Sequence, residues 1–181
     1  MNLIFRTALQ WFRSRRAPKL HIHDVGRTAF RVVPTDLDVL GHMNNGVYFS
    51  IMDLGRMDLM IRAGAWASLS KHGFYPVATN EMITFRKSLQ PWQRFVLESR
   101  IIGYDDKAVF VEQRFVVKGE VFARAYMRGR FLKRTGGTVS VAELTEALGV
   151  DPSEVTLPAW LAEWADNVAL PTTKAAAPSE W

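Results

Sequence analysis

The stretch TDLDVLGHMNNGVY, Thr35–Tyr48, sets two aspartates, a histidine and two asparagines between the apolar runs AFRVV (Ala29–Val33) and VYFSIMDL (Val47–Leu54). Runs of that kind belong in a core, so the polar junction marks where one buried element hands over to the next. Before it, Arg27–Val33 is rich in β-branched and aromatic residues and reads as a strand. After it, Gly46–Ala63 reads as a helix. Val47, Tyr48, Ile51, Met52, Leu54, Met57, Met60 and Ile61 cover much of its circumference, which predicts a well-buried helix, and Gly64 is a natural stop.

Four more strands are predicted downstream, at Val77–Leu89, Arg94–Gly103, Lys107–Lys118 and Glu120–Lys133. Turn residues at Asp105–Lys107 and Lys118–Glu120 make them antiparallel hairpins. Ser140 with Glu143 three residues on forms a capping box, Gly149 closes the helix it opens, and a second short helix is predicted around Ala159–Val168. A lone apolar helix must be wrapped, and a curved sheet is the element large enough to do it. Val121, Ala123, Ala125, Met127 and Gly129 on the last strand are mostly small, as close approach to a helix requires. The predicted class is α+β: a hotdog fold, with a long central helix wrapped by a curved antiparallel sheet of about five strands, and short helical extensions at both ends. The chain then divides into an amphipathic arm (residues 1–20), a body (21–137) and a helical extension with a loose tail (138–181).

With 181 residues and 48% hydrophobic content, the chain is long enough to bury a proper core. It has no cysteine, which excludes disulfides, thiolate metal sites and a cysteine nucleophile. The net charge of +5 is spread over strand-like segments, with one short basic run, RSRR at Arg13–Arg16. No recognition motif accompanies that charge, so nucleic acid is not an expected partner. No G-x-S-x-G elbow, P-loop or G-x-G-x-x-G fingerprint occurs, and no cofactor is expected. As a helix the arm places Ile4, Phe5, Ala8, Leu9, Trp11 and Phe12 on one side. Two readings stand: an arm packed on its own domain or a partner subunit, and an interfacial helix with RSRR near anionic headgroups. The second gives a cytoplasmic protein a peripheral membrane contact through residues 1–17.

The junction lies at the helix N-terminus, where the first backbone N–H groups lack intrahelical partners and negative charge is favoured. Asn44 or Asn45 can cap the helix and Asp36 can serve the turn, but capping does not account for a further carboxylate and an imidazole. N–H groups at Asn45, Gly46 and Val47 are placed to hold the oxygen of an attacked carbonyl. A neighbouring carboxylate can attack that carbonyl or deprotonate a water that does. Acyl transfer to water fits these parts, and a thioester is a suitable target.

The segment RVVPTDLDVLGHMNNGVYF resembles the D-x-D-x-x-x-H-x-N-N-x-x-Y signature of hotdog-fold thioesterases, the group of 4-hydroxybenzoyl-CoA and plant acyl-ACP thioesterases. FRKSL and GYDDKAVFVEQRFV are similar to the thioesterase-like family with mammalian members. The resemblance runs from about Arg27 to Lys133. It implies Asp38 as the catalytic carboxylate, an amide near Asn45 (with Asn44, Gly46 and Val47 around it) polarising the carbonyl, and His42 as a base or an orienting group. Leu40 departs from the plant pattern, which has asparagine there. The resemblance further implies an acyl-CoA or acyl-ACP substrate and a homodimer or dimer of dimers. Its sheets would join edge to edge, and Glu81 of one chain would face Asp38 of the other. A non-catalytic acyl-binding or membrane-associated protein and an acyl-CoA hydratase are the alternatives.

Glu81 is a third catalytic candidate on residue grounds alone, with Asn80 beside it. Strand alternation puts it on one inward face with Val77, Thr79, Ile83 and Phe85, where a carboxylate needs a partner or a function. His21 and His23 form H-x-H beside Asp24, but no third ligand motif accompanies them and no metal is expected. Arg128, Arg130 and Lys133 are candidates for coenzyme A phosphates. Glu98, Arg100, Glu112, Arg114 and Arg128 are expected to form charge ladders on the outer sheet face.

Overall fold

The computed structural model describes residues 3–172 and 175–179. In chain order they form α1 (Leu3–Arg16), β1 (Gly26–Arg31), α2 (Asn45–Arg62), α3 (Ala65–His72), β2 (Phe74–Phe85), β3 (Arg94–Tyr104), β4 (Val109–Val117), β5 (Glu120–Lys133), the two-residue β6 (Thr138–Val139), α4 (Val141–Leu148) and α5 (Ala159–Asn167). Positions 1 and 2 of the arm and 173, 174, 180 and 181 of the tail lie outside the described residues.

The sheet order is β1-β3-β4-β5-β2, antiparallel throughout, with β6 added to β5. The sheet curls around α2 as the hotdog arrangement requires. Val47, Tyr48, Ile51 and Met52 of α2 bury against Phe95 and Leu97 of β3, Phe115 and Val117 of β4, and Ala123 and Ala125 of β5. Each large apolar side chain so buried contributes about 2 kcal/mol. Ala123 and Ala125 do face the helix. The tightest approach, however, is at Gly55 of α2, where an added Cβ would collide with the Leu97 side chain and come within 2.8 Å of the Ser99 Oγ. The helix itself carries the small residue that seats it on the sheet.

Gly64 ends α2 and also starts α3, which closes at His72 before Gly73, where the sequence suggests a helix end. The left-handed φ of 76° at Gly64 turns the chain so that Trp66 meets Trp11 of α1 edge to face. On the outer sheet face, α5 buries Leu161 and Ala165 against Ala108 and Phe110. The capping box of Ser140 and Glu143 forms as expected.

The arm is helical and packs on α2, but not through its apolar side. Trp11 turns inward with Leu54, Met57 and Ile61, whereas Ile4, Phe5, Leu9 and Phe12 face outward. The expected single-sided grouping of Trp11 with those residues is therefore corrected. Polar groups hold the inner side: Gln10 Nε2 and Ser14 Oγ both donate to Asp58 Oδ1, at 3.1 and 2.6 Å. Asp58 is 3% exposed, and Thr28 and Arg62 satisfy its other oxygen. A buried carboxylate on α2 demanded donors, and α1 supplies them.

Candidate functional site

Residues 34–44 form a compact loop closed on itself. The Asn44 N–H donates to the Asp36 carbonyl at 2.8 Å, the Asp38 N–H to the His42 carbonyl at 3.0 Å, and Leu37 pairs with Met43 as an antiparallel bridge. Gly41 at φ 77° makes the reversal. The Met43 N–H reaches the Leu89 carbonyl at 2.9 Å, and the Leu89 N–H donates to the Tyr48 hydroxyl at 3.2 Å. The loop is thus pinned to the segment after β2, and Tyr48 of the N-N-x-x-Y run is part of the pin.

The two aspartates of D-x-D part company here. The Asp36 side chain is fully buried, and its Oδ2 accepts from Arg6 Nη2 at 2.8 Å and from the Val33 N–H at 3.0 Å. Asp38 keeps 19% of its side chain exposed; its Oδ1 accepts from the Leu40 N–H at 2.9 Å, and its Oδ2 lies 3.4 Å from His42 Nδ1. Asp38 and His42 are brought together, as the motif implies.

Of the three amides expected to face a carbonyl, two are occupied within the chain. The Gly46 N–H donates to the Asn44 side-chain oxygen at 2.8 Å, which makes Asn44 the cap of α2, and the Val47 N–H donates to the Asn44 carbonyl at 3.0 Å. The expectation for Gly46 and Val47 is corrected accordingly. The cap that builds the helix end uses them, and the Asn45 N–H has no partner within the chain among the described residues.

Glu81 is elsewhere. Thr79 forms a bulge in β2, so Ala78 pairs Gly129 but Asn80 pairs Arg128 and Glu81 pairs Met127. Glu81, Ile83 and Phe85 share the inward face, while Val77 and Thr79 leave the alternation predicted for them. Glu81 Oε1 lies 2.9 Å from Arg56 Nη1, close enough for an ion pair but off the hydrogen-bonding axis. Burial pushes the Glu81 carboxyl up from its ordinary range; Arg56 opposes that shift and Asp53 adds to it. Arg56 also pairs with Asp53 and donates to Gln113 Oε1 at 2.8 Å, and Gln113 Nε2 donates to the Met52 carbonyl and to Ser99 Oγ. Asp53 and Arg56 escaped the sequence reading. Their signal was there: charges interrupting a helix that is otherwise apolar nearly all round.

Asp53 and Arg56 stand at one side of a cavity of about 440 Å³ between α2 and the sheet. Apart from Thr7 the rest of its lining is apolar and includes Leu54, Met57, Met60, Val111 and Met127. That volume is within the range of small-molecule pockets. Asp53 is eight residues along α2 from Asn45, roughly 12 Å of helix, so one protomer does not join Glu81 to Asp38.

Of the phosphate candidates, Arg128 pairs with Asp105 and Lys133 with Glu143. Arg100 and Arg114 flank Glu112, and Arg27 pairs with Glu98, as charge ladders would. In the fold His21 and His23 acquire a third neighbour distant in sequence: Glu154 lies 2.9 Å from His23 Nδ1 and 3.7 Å from His21 Nδ1. His23 Nε2 lies 2.7 Å from the Tyr104 hydroxyl, so both ring nitrogens of His23 have protein partners. Burial and the Glu154 charge push the Tyr104 phenol up to about 12.

Residues 32–165 match the model of the thioesterase-like superfamily. The chain is 37% identical over 99 residues to the protein THEM6 of Xenopus laevis, covering 55% of this chain and 48% of that protein. It is 31% identical over 119 residues to a probable thioesterase of Saccharomyces cerevisiae, covering 65% and 52%. The chain thus spans about half the length of these curated relatives. Among solved structures, the YbaW probable thioesterase of Escherichia coli superposes with a TM-score of 0.63 at 22% identity, covering 67% of this chain and 95% of that one. A DHNA-CoA thioesterase of Staphylococcus aureus gives 0.61 at 15% identity, covering 79% and 93%. Likeness at that identity speaks for the fold alone.

Proposed function

Because the chain belongs to the thioesterase-like superfamily, we propose that it is an acyl thioesterase, hydrolysing an acyl-CoA or acyl-ACP thioester to acid and thiol. The observation that supports this most is the pairing, at one helix end, of a partly exposed carboxylate with an amide that has no partner among the described residues: Asp38, 3.4 Å from His42, and the Asn45 N–H. In this reading the thioester carbonyl oxygen sits at the Asn45 N–H, with the α2 dipole favouring the charge that builds there. Asp38 attacks the carbonyl carbon or takes a proton from the water that does, and His42 orients it. If Asp38 attacks, thiolate departs to leave an acyl–Asp38 anhydride that water then hydrolyses. If water attacks, the tetrahedral intermediate expels thiolate, which takes up the proton Asp38 received. Neither route needs a cofactor.

The acyl group occupies the apolar cavity beside Asp53 and Arg56. A homodimer supplies the join. β2 is a twelve-residue edge strand with one side unpaired among the described residues, and an edge of that length calls for cover. Val39 and Leu40, which follow Asp38, are fully and three-quarters exposed, an apolar tip that a second copy would cover. Pairing through β2 would bring Glu81 and Arg56 of one chain toward Asp38 of the other. Residues 21–137 carry this chemistry, with the arm and the extension as accessories, and the compartment we assign is the cytoplasm.

Thiol release across acyl-CoA chain lengths tests the reading: turnover with at least one substrate is expected. Binding without release would favour a non-catalytic acyl-binding protein. Loss of enoyl absorbance without release would favour a hydratase.

A further inference from the structure

Helix α1 is mounted inside out. Ile4, Phe5, Leu9 and Phe12 are 76, 75, 50 and 57% exposed, while Gln10 and Ser14, on the opposite side, are buried on Asp58. Trp11 packs inward on α2, but these four large side chains stay exposed along one helix, which is more than scattered surface exposure explains. The charge beside it narrows the choice of occupant. Arg13, Arg15 and Arg16 fill the last turn of α1. Next to the stripe runs a shallow groove of about 370 Å³, whose lining includes Leu9, Arg13, Phe30, Arg31 and Arg94. None of Arg13, Arg31 and Arg94 has a carboxylate partner among the described residues.

We infer that this face docks on an anionic bilayer, the stripe entering the acyl boundary and the groove arginines meeting lipid phosphates. Apolar and basic groups side by side on one face are what such a surface selects, whereas a second copy of this chain would set the arginine groove near its own like charges. Among the described residues no helix is long and apolar enough to cross a membrane. The docked helix is rigidly tied to the body: Arg6 holds Asp36, Gln10 and Ser14 hold Asp58, and Thr7 lines the 440 Å³ cavity. If the thioesterase reading holds, the cavity is thereby carried close to the lipid surface, where long-chain acyl thioesters partition.

The full chain should be co-sedimented with phosphatidylcholine vesicles with and without about 30% phosphatidylglycerol. Capture by the anionic vesicles is expected, weakened by salt. Phe5→Glu/Phe12→Glu changes side chains that bury little, so the fold should survive, checked by circular dichroism, while partitioning falls by at least about tenfold. Arg13→Gln/Arg31→Gln/Arg94→Gln should remove the preference for anionic lipid. Wild-type protein left in the supernatant with both vesicles would overturn the inference, as would undiminished capture of the phenylalanine variant. So would light scattering without lipid in which that variant turns a dimer into monomers, since the stripe would then belong to a second copy. Thiol release from a short, soluble acyl-CoA by the phenylalanine variant should match wild type, so loss of docking and loss of catalysis read out separately.

Discussion

Asp36 is sealed from solvent and takes hydrogen bonds from Arg6 and the Val33 amide, whereas Asp38, one turn of a loop away, keeps a fifth of its side chain in water with one oxygen held only by Leu40. The two carboxylates belong to one short motif, and they differ in what surrounds them. Asp36 is the anchor: its side chain ties α1 to the loop and its carbonyl receives the Asn44 amide that starts α2. Asp38 is held in place by that anchor and left with a free face. A carboxylate proposed to react needs a rigid mount that leaves its own hydrogen-bonding capacity free, and here the mount and the proposed group are the same residue type two positions apart.

Substitutions can break or sharpen that contrast. Asp36→Ala removes the buried carboxylate that accepts from Arg6 and the Val33 amide, and a loss of about 3 kcal/mol is expected in denaturant unfolding. Gly55→Ala, at the helix–sheet contact far from both aspartates, should cost about 2 kcal/mol through the clash with Leu97. If it costs more than Asp36→Ala, the anchor is less important than helix seating. Asn44→Ala removes the cap of α2 and should cost about 1 kcal/mol. It also frees the Gly46 N–H, so a change in turnover larger than its stability cost would show how much the helix end matters to the chemistry. Asp38→Asn should change stability by less than about 0.5 kcal/mol, because the amide oxygen can still accept from Leu40.

The smallest effect is a pH dependence at Glu81. Its folded pKa is raised above the unfolded value, so the stability it contributes is fully present below the ordinary carboxylate range and is lost as pH rises through the raised value. Wild type should therefore lose ground to Glu81→Gln between those two values, read as a shrinking difference in Tm. A difference that grows instead would mean that Arg56 dominates burial there.

The strands, α2, the Ser140 capping box and α5 were legible because period and punctuation fix them locally. β5 occupies Glu120–Lys133, the span its turn residues and alternation predict. The bulge at Thr79 was not legible, since one extra residue in a strand leaves alternation intact in the letters while shifting the faces in space. The inverted mounting of α1 was hidden for a similar reason. Its pattern shows which side is apolar, but the buried Asp58 on another helix decides which side is inward. At the site, Asp38 and His42 fall within hydrogen-bonding neighbourhood because they are close in sequence. The loss of Gly46 and Val47 to the cap follows from the conformation of Asn44, and the Arg56–Glu81 pair joins residues twenty-five positions apart.

The most direct test is the turnover of thiol release by Asp38→Asn on the best substrate of the wild-type protein, with Tm measured on the same preparation. An ionised carboxylate that does the chemistry beside the Asn45 amide predicts a fall of at least about a thousandfold at unchanged Tm. Turnover within about tenfold of wild type, with the fold intact, would contradict the account and remove Asp38 from the reaction.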